Sequence, residues 1–366
     1  MHRYKRYLLT LLVLFYALHS HSQNTIQPVR IGIAGLVHSH VHGILSMKSD
    51  KFKIVGIAEP NKELAKRYAD RYGFSMDIVF SSIDEMIQKA KPEGVTAFNT
   101  ISGHLEVVEK CAPKGIHVMV EKPLAISFDH AKKMKVLADQ YKIQVLTNYE
   151  TSWYATTAES LKLANANELG ALRKIVVHDG HQGPQEIGVE KEFLEWLINP
   201  KYNGAGALTD FGCYGANLTT ALMNGARPTS VTAVTQHIKP DKYPLVDDEA
   251  TIILTYPQTQ SIIQASWNWT FSRKDMEIYG TQAYIRTVDA TNMVVRKDAS
   301  HAEAVTSVAM PANQYRDPFT FFSAVIKGEA NPDKDLSSLA NNIIVVEILD
   351  AAMQSSKTGK TVVLGK

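Results

Sequence analysis

Three side chains of this sequence could together move a proton beside a hydride acceptor: Lys122, Asp210 and Tyr214. Oxidising a carbinol removes a hydride from carbon and needs a base for the hydroxyl proton. Unperturbed tyrosine ionises near pH ~10 and is a poor base at neutral pH. A neighbouring ammonium favours the phenolate and lowers that value, so Lys122 is expected to activate Tyr214. Asp210 stands four residues before Tyr214, a spacing that predicts both on one helix face. Asp210 would then orient a substrate hydroxyl or hold Lys122. The plainer alternative makes Asp210 a helix cap and Tyr214 a core residue.

A second group of residues could hold a dinucleotide. Residues 29–34 read as a buried strand ended by Gly35. Such a strand, a glycine turn and a following helix present backbone N–H groups to a pyrophosphate. Of the G-x-G-x-x-G fingerprint only Gly35 is present; Val37 and His40 stand where the other glycines would be. Glu59, 24 residues after Gly35, ends the next strand. A carboxylate there bonds ribose hydroxyls and repels a 2′-phosphate, so NAD is expected over NADP. His38, His40 and His42 alternate along the turn. No cysteine pair or carboxylate accompanies them in sequence, and a helix would spread them around its axis. They are therefore read as cleft or packing residues, with no metal expected.

Candidate substrate contacts follow the last strand of this half. Asn148, Tyr149 and Trp153 lie where a cleft should open, and aromatic faces suit the C–H faces of sugars. Residues 178–184 end a later strand with polar groups before a Gly-Pro turn, and His181 is the expected contact there.

Repeated strand–helix alternation over residues 28–150 positions these groups. It argues for a parallel sheet covered on both faces. Ser82 is the expected cap of a helix over residues 83–90. Residues 151–366 read instead as α+β with a large open, mostly antiparallel sheet. The expected elements are helices over 156–166 and 209–223, a glycine-bearing loop before Gly206, and two closing helices near 318–326 and 337–355. The last helix is expected to pack back on the first domain.

The first 22 residues differ from the rest. A basic start (Arg3, Lys5, Arg6), an apolar run over 8–18 and small residues at Ser20 and Ser22 have the layout of a signal peptide. The run is too short to cross roughly 30 Å of hydrocarbon, so no membrane anchor is expected after processing. Formal net charge is +2, and losing those three basic residues leaves −1. That balance gives no support to a nucleic-acid or membrane-surface partner. Cys111 and Cys213 do not have the spacing of a metal pair or a disulfide framework.

The stretch 115–125, with Glu121-Lys122-Pro123, closely resembles the E-K-P strand and turn of the Gfo/Idh/MocA family. Residues 204–214 resemble its G-G-G-A-L-x-D-x-G-x-H/Y motif, preceded by Trp196-Leu197 and Pro200 as in its W-L-x-x-P segment. The resemblance runs from about residue 29 to 366. It implies an N-terminal Rossmann domain, NAD(P) chemistry on sugars, inositols or related polyols, and a C-terminal sheet that joins homo-oligomers. It also implies that Lys122 is the family lysine and that Asp210 and Tyr214 occupy the acidic and acid/base positions. The branch typified by glucose–fructose oxidoreductase likewise has tyrosine there. His104 matches a family histidine, although Asn99-Thr100 replaces the T-P before it. Gly35, Val37, His38, His40, Glu59, Asn99, His104, Glu121 and Lys122 are thus expected around the cofactor.

An exported NAD(H)-dependent oxidoreductase acting on a carbohydrate or polyol is the leading expectation. Redox-neutral glycoside cleavage through transient sugar oxidation is the alternative, and a sugar-binding protein without turnover is the third. The leader predicts a mature chain beginning at or near Gln23; mass spectrometry showing an intact Met1 on exported protein would defeat it. Glu59 predicts tighter binding of NAD than of NADP to cofactor-stripped protein, read by calorimetry. Equal or tighter NADP binding would remove the role given to Glu59.

Overall fold

The computed structural model describes residues 27–300, 302–311 and 316–365; the signal peptide expected over 1–22 lies outside them. In the first half, β1 (Val29–Ala34), β2 (Phe52–Ala58), β3 (Val79–Phe80), β4 (Gly94–Ala97), β5 (His117–Glu121) and β6 (Val145–Asn148) form one sheet ordered β3-β2-β1-β4-β5-β6. Every pairing is parallel. The order reverses between β1 and β4, and a crevice opens beyond the carboxyl ends of such strands. Gly35, Asn99, Lys122 and Tyr149 each lie within two residues of a strand end there.

Local chemistry sets the helix boundaries. Between the strands lie α1 (Val41–Ser46), α2 (Lys62–Tyr72), α3 (Ile83–Ala90), α4 (His104–Cys111) and α5 (Phe128–Tyr141). Ser82 caps α3 by accepting from Glu85 N–H, as expected, and Ser127 caps α5 through His130 N–H. Asn61 accepts from Glu63 and Leu64 N–H, and Gly73 at φ 75° closes α2. The helix after β1 begins later than its sequence suggests. Leu36 N–H is taken by the Glu59 carboxylate and His38 N–H by Phe98 C=O, so the chain turns before α1 can start.

The second half begins with α6 (Ala155–Asn165) and β7 (Leu172–Gly180). Four short helices follow: α7 (Lys191–Leu197), α8 (Pro200–Asn203), α9 (Ala207–Asp210) and α10 (Gly212–Leu222). The first two occupy the stretch read from sequence as a loop. The single helix expected over 209–223 is divided. Asp247 accepts Gly206 and Leu208 N–H through its carboxylate and Ala207 N–H through its carbonyl, which pins the start of α9. A Cβ on Gly206 would fall 1.7 Å from Asp247 O, so only glycine permits this approach. The chain then bends at Phe211 (φ −107°) before α10.

The remaining strands are β8 (Ser230–Gln236), β9 (Glu249–Thr255), β10 (Gln260–Ser266), β11 (Arg273–Gly280), β12 (Tyr284–Thr287), β13 (Asn292–Arg296), β14 (Val305–Ser307) and β15 (Val362–Val363). With β7 they make a nine-stranded sheet ordered β14-β13-β12-β11-β7-β10-β9-β8-β15. β7 lies between β10 and β11, which run in opposite directions, so one of its pairings must be parallel. That one is with β10. Alternation on β7 turns Ile175, Val177 and Asp179 to the buried face.

Two late helices, α11 (Pro318–Ile326) and α12 (Leu339–Thr358), return to the first sheet. Phe319, Phe321, Phe322 and Val325 share a core with Val29, Ile31 and Ile57. Ile343 and Val346 pack with Val95, Val118 and Val145 on the opposite side. Asp350 accepts from Phe128 N–H at 2.7 Å at the start of α5. Both sides of the parallel sheet thus draw on residues beyond 318. Among the described residues no helix is long and apolar enough to cross a membrane.

Candidate active site

Lys122 leaves β5 at the crevice, and its ammonium reaches across to the second half of the chain. It donates to the Asp210 carboxylate and, at 3.1 Å, to Asp210 C=O. Trp267 Nε1 donates to the other carboxylate oxygen at 3.0 Å. Lys122 and Asp210 are each 5% exposed, so both charges are withdrawn from water and must be paired. Burial pushes the Asp210 carboxyl up, but Lys122 outweighs it and holds the group below its usual value. Burial likewise pulls the lysine down, and Asp210 more than restores it. Of the two roles open to Asp210, the structure shows the grip on Lys122.

Tyr214 lies beside this pair, but not as the spacing suggested. The bend at Phe211 puts Asp210 at the end of α9 and Tyr214 in α10. Lys122 Nζ is 5.2 Å and Lys274 Nζ 4.9 Å from the Tyr214 ring centroid. The expected lowering of the tyrosine pKa is overturned. Burial raises it well above its ordinary value, and Glu150, Cys213, Asp210 and Glu121 add to the rise. Both nearby ammonium groups are committed to carboxylates, Lys122 to Asp210 and Lys274 to Glu150.

Asp179, Glu150 and Lys274 join this cluster without having been singled out from sequence. Lys274 on β11 lies in register with Asp179 on β7. Asp179 is fully buried, and neither carboxyl oxygen has a partner. Burial holds it well above the usual carboxylate value, so it keeps its proton. The available signal was its place two residues after Val177 on an inward strand face. Lys274 could be placed only through register, which no local pattern reveals. His181 also reaches the cluster: its ring meets Phe211 edge-on at 4.8 Å, and its Nδ1 accepts from Gly183 N–H at 2.9 Å. Burial lowers its pKa, leaving a neutral ring with a proton on Nε2.

The other expected substrate contacts have supporting places. Tyr149 is wholly buried and packs edge-on against Tyr214 at 5.4 Å. Trp153 Nε1 donates to Asn148 Oδ1 at 2.9 Å, and Asn148 Nδ2 donates to Glu121 at 2.7 Å. The other Glu121 oxygen lies 2.9 Å from His40 Nδ1. Burial opposes ionisation of Glu121, but His40, Asn148 and Lys122 outweigh it and keep it a carboxylate.

On the nucleotide side, Gly35 has φ +83°, and a Cβ there would fall 2.8 Å from Asn99 Cβ. Glu59 is buried and accepts from Leu36 and Asn61 N–H, both at 2.8 Å. Burial raises its pKa. In the bordering turns His38 Nε2 and Asn99 Oδ1 are buried without partners. A carboxylate at the end of β2, an unhindered glycine turn and polar atoms awaiting partners fit NAD. Val37 also takes part in the domain contact: its C=O accepts from Trp196 Nε1 at 3.2 Å and its side chain packs into the second core. His104 is a core residue whose Nδ1 donates to Leu124 C=O at 3.2 Å; burial takes its pKa down to about 4.

The histidine run is not helical where it matters, since α1 starts at Val41. His38, His40 and Glu121 each bring one potential metal-ligand atom within 4.8 Å of the others. The carboxylate missing from the local sequence is thus supplied by β5, which removes the first reason for expecting no metal. A second reason comes from proton placement. His38 Nδ1 accepts from His40 N–H at 3.1 Å, and burial holds the ring neutral. Its single proton is then on Nε2, which leaves no lone pair for a cation there.

The start of α7 fastens the two halves together over this turn. Glu190 accepts from Ser39 Oγ and pairs with His42, while Arg67 pairs with Glu192 at 2.9 Å. His38 stacks obliquely on Phe193 and Trp196, with centroids 4.6 and 5.6 Å away.

Two family models match the chain. Residues 29–149 match one described as an oxidoreductase family with an NAD-binding Rossmann fold, and residues 157–286 match a GFO/IDH/MocA C-terminal domain. The chain is 23% identical to trans-1,2-dihydrobenzene-1,2-diol dehydrogenase of Xenopus tropicalis, covering 82% of this chain and 89% of that protein. Its fold resembles a Caulobacter crescentus aldose-aldose oxidoreductase solved with glycerol, with TM-score 0.77, 20% identity and coverage of 92% and 100%. An Azotobacter vinelandii inositol dehydrogenase homologue solved with NADH and myo-inositol superposes with TM-score 0.79, 15% identity and coverage of 93% and 98%. The chain belongs to the Gfo/Idh/MocA family of NAD-binding oxidoreductases.

Proposed function

We propose that this protein is an exported dehydrogenase that moves hydride between NAD and a hydroxyl-bearing carbon of a neutral sugar or polyol. The observation that carries this reading is the buried Lys122–Asp210 pair beside the Tyr214 ring, at the mouth of the dinucleotide crevice. NAD, when bound, supplies the hydride acceptor or donor. Tyr214 donates a hydrogen bond to the reacting oxygen and stabilises charge that develops there. Asp179, kept protonated, can both donate to and accept from a sugar hydroxyl, and His181 Nε2–H offers a further donor. Neutrality of the substrate follows from the charges. Lys122 and Lys274 each already face a carboxylate, so neither is free to bind a phosphate or carboxylate group. The relatives support the class: one is named for a diol, and two solved neighbours hold glycerol and myo-inositol.

Purified protein supplied with NAD and a panel of free polyols and glycosides tests this. Net formation of reduced nicotinamide is expected; aglycone release without it would overturn the dehydrogenase reading. Tyr214→Phe removes one hydroxyl from a packed ring. It should lower turnover by about 10²–10³-fold, as loss of an oxyanion donor does, with NAD binding unchanged by calorimetry. Full turnover in that variant would remove Tyr214 from the reaction.

Asp179 gives a test with a defined sign. The native state holds a proton that the unfolded chain sheds, so stability falls as pH rises through the carboxylate range. Asp179→Asn abolishes that loss. Its unfolding free energy should therefore fall less than that of the wild type between about pH 4 and about pH 7 in urea titrations. An amide mimics a neutral acid, so KM should change little in Asp179→Asn. Asp179→Ala should raise KM by roughly 5–100-fold, the range of one buried hydrogen bond. A larger KM in Asp179→Asn than in Asp179→Ala would show that the carboxylate, not the acid, binds substrate.

A further inference from the structure

Lys274 is an unexpected side chain for its face of β11. Strand alternation turns it inward with Met276 and Ile278, and a lysine drawn away from water needs a compensating partner. Its ammonium pairs with Glu150, in the turn after β6, and stands 4.9 Å from the Tyr214 ring centroid. Tyr154 OH donates to the other Glu150 oxygen at 2.5 Å and so fixes that carboxylate. Asp179, the register neighbour of Lys274 on β7, takes no hydrogen bond from it, since both its carboxyl oxygens are unpartnered.

The Tyr214 ring thus has a cation near it from each half of the chain, Lys122 at 5.2 Å and Lys274 at 4.9 Å. The two differ in setting. The Lys122 and Asp210 side chains are each 6% exposed, whereas Lys274 is 22% and Glu150 47% exposed. A dry pair is locked together by the cost of separating it; a wet pair is weakly held and partly screened. How much of the Lys274 charge Tyr214 feels therefore depends on Glu150. The other charged or titratable groups around the ring are Glu121 from β5, Asp210 at the end of α9, Cys213 in α10 and Tyr149, which packs edge-on. Asp179 on β7 lies beside Lys274.

We infer that the Lys274–Glu150 pair governs how readily Tyr214 gives and takes the substrate's proton, with Lys274 stabilising the phenolate and Glu150 opposing it. This rests on the dehydrogenase reading above. In the reducing direction the carbonyl carbon receives hydride from reduced nicotinamide, and the carbonyl oxygen takes the Tyr214 proton. One O–H bond breaks on the phenol and another forms on the product. The phenolate left behind lies beside the Lys274 ammonium until water returns a proton. Oxidation runs the same path backwards, the phenolate taking the hydroxyl proton as hydride leaves carbon. Lys274 and Glu150 act through Tyr214, as positioning residues.

A charge about 5 Å away in a partly wet site is worth roughly 1–2 pH units of ionisation. In NAD-dependent oxidation by the full-length protein, kcat should rise with pH as Tyr214 loses its proton. Lys274→Met should move that rise upward by this amount and lower kcat near pH ~7 by about 10–100-fold. Glu150→Gln should move it downward; repeating that change beside Asp179→Asn keeps the freed lysine from ionising Asp179. Lys274→Arg should restore most of the wild-type profile. The double variant Lys274→Met/Glu150→Gln should shift less than Lys274→Met alone, because both charges are gone. Calorimetry should show NAD binding within a few-fold of wild type throughout. Tyrosinate absorbance, taken as the difference from the matching Tyr214→Phe protein, should give the same order of shifts without substrate. Shifts in one direction for both single changes would overturn the inference. So would a raised KM with an unmoved pH profile, which would make Lys274 a substrate contact. An inactive wild type on every polyol tried, with the absorbance shifts in the expected order, would sink the dehydrogenase reading and leave the pair's control of Tyr214 standing.

Discussion

The rest of the site depends on a single electrostatic constraint: two opposite charges withdrawn from water must be kept together. Lys122 comes from the end of β5 in the first half and Asp210 from the end of α9 in the second. Removing either partner of a buried pair generally costs roughly 3–5 kcal/mol, because the survivor is left charged and dry. That penalty fixes how the halves meet. Several features serve the pair: Trp267 occupies the second Asp210 oxygen, and Asp247 pins the turn that delivers Asp210. The same commitment denies Tyr214 the cation that would have ionised it.

Much of this was legible in the sequence, where the responsible physics is local. Ser82 announces a helix start because a short polar side chain can take the first free N–H groups. Alternating strand and helix patterns gave the parallel sheet, and the stretches around Lys122 and Asp210 marked the two sides of the cleft. What escaped is set by distance or by proton position. β7 enters between β10 and β11 through pairing that no window of sequence contains. Lys274 reaches the site through that register. The break at Phe211 depends on Asp247, far along the chain, and it undid an inference from four-residue spacing. Glu121 looked like part of a motif; its contact with His40 arises from how two turns converge on the crevice.

The histidines show why residue type alone says little about role. His38, His40, His104 and His181 all belong to the site as read from sequence, yet their hydrogen bonds give them different chemistry. Two accept a backbone N–H at Nδ1, one is shut into the core, and one lies against a buried carboxylate. His42, the third of the alternating run, bonds Tyr72 and Glu190 and fastens α7 across the nucleotide turn. The acceptors and donors around each ring decide its function before any ligand arrives.

The return of α11 and α12 to the first sheet bears on how the chain is made. A ribosome delivers β1 to β6 first, and domains completed early in synthesis commonly fold early. Here the parallel sheet cannot finish either of its cores until Phe319, Phe322, Ile343 and Val346 have been added. Until then apolar residues such as Ile31, Val95 and Val118 lack part of their cover. Order of folding is thereby uncoupled from order of translation: the nucleotide half, made before the second sheet, is sealed by helices that follow β14.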